Sequence, residues 1–129
     1  MADMITILYV EDNKENRLLV RRVLEAEGCA VIEAESAAQA LKLLESSVPN
    51  LILMDINMPE IDGYTLTGRL RQNPKMQGVP IIAMTANVMR GDRERTMEAG
   101  CDGYIQKPID VDLLGQQLRH FLEEVGDGR

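Results

Sequence analysis

The run Leu51-Ile52-Leu53-Met54-Asp55 constrains the chain more than any other stretch. Four consecutive apolar residues that end on a carboxylate read as a strand buried on both faces, the pattern of a central strand in a parallel sheet. Such a strand holds Asp55 rigidly at the sheet edge, where open α/β sheets place their ligands. Beyond it, Met58-Pro59 and Asp62-Gly63 punctuate a loop before the next helix.

Strand and helix patterns alternate along the chain. Ile5 to Val10 reads as a buried β-branched strand. It ends at Glu11-Asp12-Asn13, residues that can cap the helix after it. That helix runs to about Glu27, with a stripe of Leu19, Val23 and Ala26 widened by Val20 and Leu24, and Gly28 stops it. Ala30 to Ala34 is a weaker strand, expected near a sheet edge. Ser36 with Gln39 matches a capping box, and Ala37, Ala40, Leu41 and Leu44 follow at helical spacing. A third helix covers about Tyr64 to Gln72, with Leu66 and Leu70 inward, and Pro74 ends it.

Val79 to Met84 is a further buried strand, ending at Thr85. A charged fourth helix spans about Val88 to Ala99, and Gly100 terminates it. Gly103 to Gln106 is a short last strand that carries Tyr104 and ends at Lys107-Pro108, a candidate cis peptide. Asp110 caps a final helix with Leu114, Leu118, Phe121, Leu122 and Val125 along one stripe, and His120 lies off it. Five such β-α units predict an α/β fold, a parallel sheet with helices on both faces. The class is flavodoxin-like, doubly wound (βα)5. Its order 2-1-3-4-5 is taken from the class rather than from the residues, and it makes strands one and three neighbours at the topological switch point.

The totals narrow the function. A chain of 129 residues has room for one domain, 1–129, with a core over about 5–124. The net charge of -7, from 21 acidic and 14 basic residues, disfavours non-specific nucleic-acid binding and suits a divalent cation or a basic protein partner. No stretch approaches the roughly 20 apolar residues of a membrane helix. The start Met-Ala-Asp-Met lacks the features of a signal peptide, so a cytoplasmic location is expected. Cys29 and Cys101 form neither a CxxC pair nor a disulfide framework and read as buried thiols.

Polar residues follow four of the predicted strands: Glu11 and Asp12, then Asp55, Thr85 and Lys107. In a parallel sheet all of these strand ends lie at one edge, so the residues can converge. Three carboxylates there repel one another unless one keeps a proton or a cation joins them. Hard oxygen ligands at an open site suit Mg²⁺ (or Mn²⁺), to which the Asn57 backbone carbonyl could add an oxygen. Asp55 can act as a carboxylate nucleophile toward phosphorus, and the Thr85 hydroxyl and Lys107 ammonium can hold phosphoryl oxygens. Taken singly, each has a plainer role. Glu11-Asp12 and Thr85 could cap helices, Asp55 could be a loop residue, and Lys107 a surface charge.

These motifs resemble the receiver domains of two-component response regulators: Val10-Glu11-Asp12-Asn13, Leu53 to Pro59 through Asp62-Gly63, Met84-Thr85-Ala86, and Tyr104 to Lys107-Pro108. The resemblance runs from Ile5 to about Glu124. It implies that Asp55 takes a phosphoryl group from a histidine kinase or a histidine phosphotransfer protein. It implies that Glu11, Asp12, Asp55 and the Asn57 carbonyl bind Mg²⁺, that Thr85 and Lys107 contact the phosphoryl group, and that Tyr104 swings inward when Thr85 shifts. The expected output is a change in protein contacts at the face of the fourth helix, last strand and last helix, as a monomer or a phosphorylation-dependent dimer. The chain then promotes only its own phosphorylation and dephosphorylation and is not an enzyme in the usual sense.

Thr85-Ala86-Asn87-Val88-Met89 with Gly91-Asp92 is most similar to receivers of hybrid histidine kinases and to DivK-like single-domain regulators. A receiver fragment of a hybrid kinase is therefore the alternative. The start at Met1 and the polar tail Gly126 to Arg129 lean toward a free-standing protein without an output domain. A haloacid-type phosphohydrolase would carry a second Asp where Asn57 stands. A flavin carrier would want amides and hydroxyls where Glu11 and Asp12 stand. No P-loop signature occurs, and Pro59-Glu60 spoils an EF-hand reading of Asp55-Ile56-Asn57.

Overall fold

A computed structural model of the chain describes residues 5–56, 58, 63–85, 94, 97–107 and 109–127. Five strands, β1 (Thr6–Val10), β2 (Ala30–Ala34), β3 (Leu51–Asp55), β4 (Ile81–Thr85) and β5 (Gly103–Gln106), form one parallel sheet in the order β2-β1-β3-β4-β5. The helices are α1 (Lys14–Ala26), α2 (Ala37–Leu44), α3 (Gly63–Arg71) and α4 (Val111–Asp127), with a 3₁₀ turn at Pro74–Met76. The predicted fourth helix lies mostly outside the described residues, as do Asn57 and Pro108.

Two apolar layers sandwich the sheet. On one face Ile7, Tyr9, Leu51, Leu53, Ile82 and Met84 pack against Val20 and Leu24 of α1 and Leu114 and Leu118 of α4. On the other, Leu8, Val10, Ile52, Met54, Ile81 and Ala83 meet α2 and α3 through Ala37, Ala40, Leu44, Leu66 and Leu70. β3 and β4 are buried at every position because helices cover both of their faces, which explains their continuous apolar runs. β2 is an edge strand and mostly half-buried, as its weaker pattern predicted.

The stripe of α1 differs from its sequence reading. The buried positions are Arg17, Val20 and Leu24, while Leu19 is 40% exposed and Ala26 is exposed. A buried arginine sets the phase of this helix. Its guanidinium finds acceptors at the end of β1 and on β2, so the helix turns Arg17 inward and Leu19 outward.

The helix ends match their signals. Asn13 Oδ1 accepts the Asn16 N–H at 2.9 Å and caps α1. At the other end Gly28, at φ +88°, donates to the Glu25 carbonyl and Cys29 donates to the Leu24 carbonyl, each at 3.0 Å, which closes a Schellman turn. Ser36 Oγ accepts the Gln39 N–H, but the Gln39 side chain reaches back to the Glu35 N–H, one residue before the cap. Asp110 accepts the Asp112 N–H and caps α4. Both cysteines are buried and free, and burial raises their pKa values.

Candidate functional site

The parallel order brings the C-terminal ends of β1, β3, β4 and β5 to one edge, and the predicted residues gather there. Ligand oxygens of Glu11, Asp12 and Asp55 all lie within 4.8 Å of one another. Glu11 and Asp55 are almost fully buried, and Asp12 is exposed. With Asn13 serving as the cap, neither acidic residue before it is needed for that task.

Lys107 reaches the cluster from the far end of β5. Its ammonium lies 2.9 Å from Asp55 Oδ1 and 3.4 Å from Glu11 Oε1. Its backbone N–H donates to the Thr85 carbonyl at 2.8 Å, continuing the β4–β5 ladder past the strand end. The side chain is 19% exposed, so the reading as a plain surface charge does not hold. Burial opposes its charge, yet the Asp55 and Glu11 carboxylates outweigh that and hold its pKa above the ordinary lysine value.

Two buried carboxylates share that one ammonium, and the electrostatics show the excess. Burial first, and then the adjacent Asp55 carboxylate, push the Glu11 carboxyl up from 4.5 to about 7. Such a cluster fits a divalent cation by its donor chemistry. It offers hard oxygens, surplus negative charge in a partly dry site, and one exposed member, Asp12, on the open side.

Thr85 is buried at the end of β4, beside β3 on one side and β5 on the other. Tyr104 is half-buried on β5, paired in register with Ala83. A groove of about 350 Å³ opens beside it, lined by Gln116, Gln117, His120 and Phe121 of α4. His120 is exposed and stands edge-on to Phe121, as expected of a residue off the apolar stripe.

The family described as response regulator receiver domain matches residues 7–119. This chain belongs to it. The receiver is 39% identical to the polar-differentiation response regulator DivK of Brucella ovis over 117 residues, 91% of this chain and 95% of that protein. Among solved structures it is similar to a CheY-like response regulator receiver domain protein from Methanospirillum hungatei, at 27% identity and a TM-score of 0.89, covering 98% of this chain and all of the other. It is also similar to the receiver domain of a sensor histidine kinase from Pseudomonas aeruginosa, at 34% identity and a TM-score of 0.83, covering 96% and 99% of the two chains. That domain was crystallised with a magnesium ion coordinated in its active-site cleft.

Three neighbours of the receiver's acidic cluster were not singled out by the sequence reading. The Tyr9 hydroxyl donates to Glu11 Oε1 at 3.2 Å, and Asn16 Nδ2 donates to the same oxygen at 3.3 Å. Arg17 donates to the Glu11 backbone carbonyl at 2.8 Å and pairs with Glu33 and Glu35 at 3.5 and 3.3 Å. Tyr9 carried a usable signal, because residues two apart on an extended chain share a face.

Proposed function

We propose that the chain is one receiver domain throughout and that Asp55 is its phosphoacceptor in a two-component phosphorelay. The observation that carries this is the salt bridge from Lys107 to a buried Asp55 within a three-carboxylate cluster. Asp55 sits at the end of a strand buried at every position, so its carboxylate is held in place rather than ordered at the moment of reaction.

The Asp55 carboxylate attacks the phosphorus of a phosphohistidine. An O–P bond forms, the N–P bond breaks, and the imidazole leaves with the electron pair. Lys107 and the Thr85 hydroxyl then hold phosphoryl oxygens. Glu11, Asp12, Asp55 and the Asn57 carbonyl would hold Mg²⁺, which when bound would supply neutralisation of charge on the transferring group. Water later attacks the same phosphorus, the Asp55 O–P bond breaks, and inorganic phosphate leaves with the carboxylate restored.

The partners are a histidine kinase or a histidine phosphotransfer protein and a downstream protein target. The Thr85 hydroxyl moves toward the new phosphoryl oxygens and frees space that the Tyr104 ring fills, which shifts the population of two states of the β5–α4 side. The adjacency of β4 and β5 and the half-buried Tyr104 support this relay. Among the described residues no helix is long and apolar enough to cross a membrane, and the reading places the protein in the cytoplasm.

Borohydride trapping tests the acceptor. An acyl phosphate on Asp55 is reduced to homoserine, so peptide mapping after treatment with a small phosphodonor finds that change at position 55. A modified residue elsewhere, or none, overturns the assignment.

A further inference from the structure

We infer that Tyr9 is a positioning residue for the metal site, acting through Glu11; the inference rests on the reading of Glu11 as a Mg²⁺ ligand. Tyr9 lies next to the C-terminal end of β1, in the apolar layer that includes Val20, Leu24, Leu53 and Met84, with no measurable exposure. Its ring is therefore fixed by the core. The hydroxyl, the one polar atom it brings into that layer, points along the strand to Glu11 Oε1 at 3.2 Å.

Glu11 needs such a partner. A glutamate has one more rotatable bond than an aspartate, and its carboxylate must be ordered to serve as a ligand. Oε1 collects the Tyr9 hydroxyl, Asn16 Nδ2 and the Lys107 ammonium. Of these three donors, Asn16 and Lys107 are partly exposed, and the lysine has four rotatable side-chain bonds, while Tyr9 is fully buried in the core. The backbone of Glu11 is clamped as well: its N–H donates to the Ala34 carbonyl at 3.0 Å and its carbonyl accepts from Arg17. Tyr9 thus fixes the side chain of a residue whose main chain is already fixed. Hydrogen-bonding partners behind a ligand orient it and set its affinity for the metal.

The test is calorimetric titration of Mg²⁺ into native protein, Tyr9→Phe, Glu11→Asp and Tyr9→Phe/Glu11→Asp, with thermal unfolding of each metal-free protein alongside. Tyr9→Phe is expected to weaken Mg²⁺ about tenfold, the low end of the range for outer partners of a ligand. In the Glu11→Asp background, where the shorter acid falls short of the hydroxyl, the same change is expected to have no effect. Equal Mg²⁺ affinity for native and Tyr9→Phe overturns the inference. So does a loss of equal size in both backgrounds, which marks a packing role, or a fall in thermal stability without a change in affinity. A native protein that takes up no Mg²⁺ overturns the ligand reading itself, and the inference with it.

Discussion

Lys107 and Asp55 meet at 2.9 Å although a whole strand, β4, separates the strands that carry them. The lysine spans the end of β4 to reach the aspartate, and it touches Glu11 of β1 as well. One ammonium thus bridges three strand ends and stands where a cation is wanted.

Removing that ammonium is expected to strengthen Mg²⁺ binding while impairing phosphoryl acceptance. In Lys107→Ala the carboxylates lose their built-in counter-ion, and Mg²⁺ affinity rises up to about fivefold, the scale of one partly exposed ion pair. The rate of phosphorylation by a small phosphodonor falls at saturating Mg²⁺. Calorimetry and a phosphorylation time course read the two effects separately.

Glu11 makes the metal-free protein sensitive to pH. Its folded pKa lies above its unfolded one, so the folded state holds the proton more tightly between 4.5 and about 7. The contribution of Glu11 to stability is present below that window and is lost as pH rises through it. Urea unfolding of native protein and Glu11→Gln should therefore diverge across this window, with the native protein losing more stability toward neutral pH. Saturating Mg²⁺ should reverse that trend, because it binds the ionised carboxylate.

The central strands and their site edge were legible in the sequence because burial on both faces leaves a continuous apolar signature, and four of the five strands end on or are followed by a polar residue of the site. β3 and Asp55 follow that logic, and so does Lys107 after β5. The phase of α1 was not legible. Arg17 faces inward on account of acceptors contributed by Glu11, Glu33 and Glu35, and nothing local announces that partnership. The spacing of Tyr9 and Glu11 put both on one face of the strand, but it did not show that the hydroxyl meets the carboxylate. A tyrosine in a buried strand reads as packing until its hydroxyl is given a partner.

Arg17 is expected to be a stability residue of the site loop. It is 8% exposed and donates to the Glu11 carbonyl. Arg17→Ala should cost about 2 kcal/mol, the scale of a buried hydrogen bond from a charged group, with little added by the exposed Glu35. Arg17→Lys should recover only part of it, since an ammonium lacks the fork that reaches three acceptors. Urea denaturation midpoints measure both.

Gly63 should tolerate no side chain. A Cβ there would lie 2.8 Å from Ile56 Cα and 3.0 Å from the Asp55 carbonyl oxygen, both backbone atoms. The Gly63 N–H also donates to the Ile56 carbonyl at 3.0 Å. Gly63→Ala must displace the chain just after Asp55, at a cost of about 1–3 kcal/mol for forced overpacking. Gly68→Ala, where nothing lies within 4 Å, serves as the control and should be neutral or stabilising.

The central claim is that Asp55 accepts a phosphoryl group. Intact mass after incubation with Mg²⁺ and a small phosphodonor tests it most directly, for native protein and Asp55→Asn, with and without chelator. The account predicts one added phosphoryl group on the native protein alone, abolished by chelator. An unchanged mass in the native protein, or the same addition in Asp55→Asn, would contradict it.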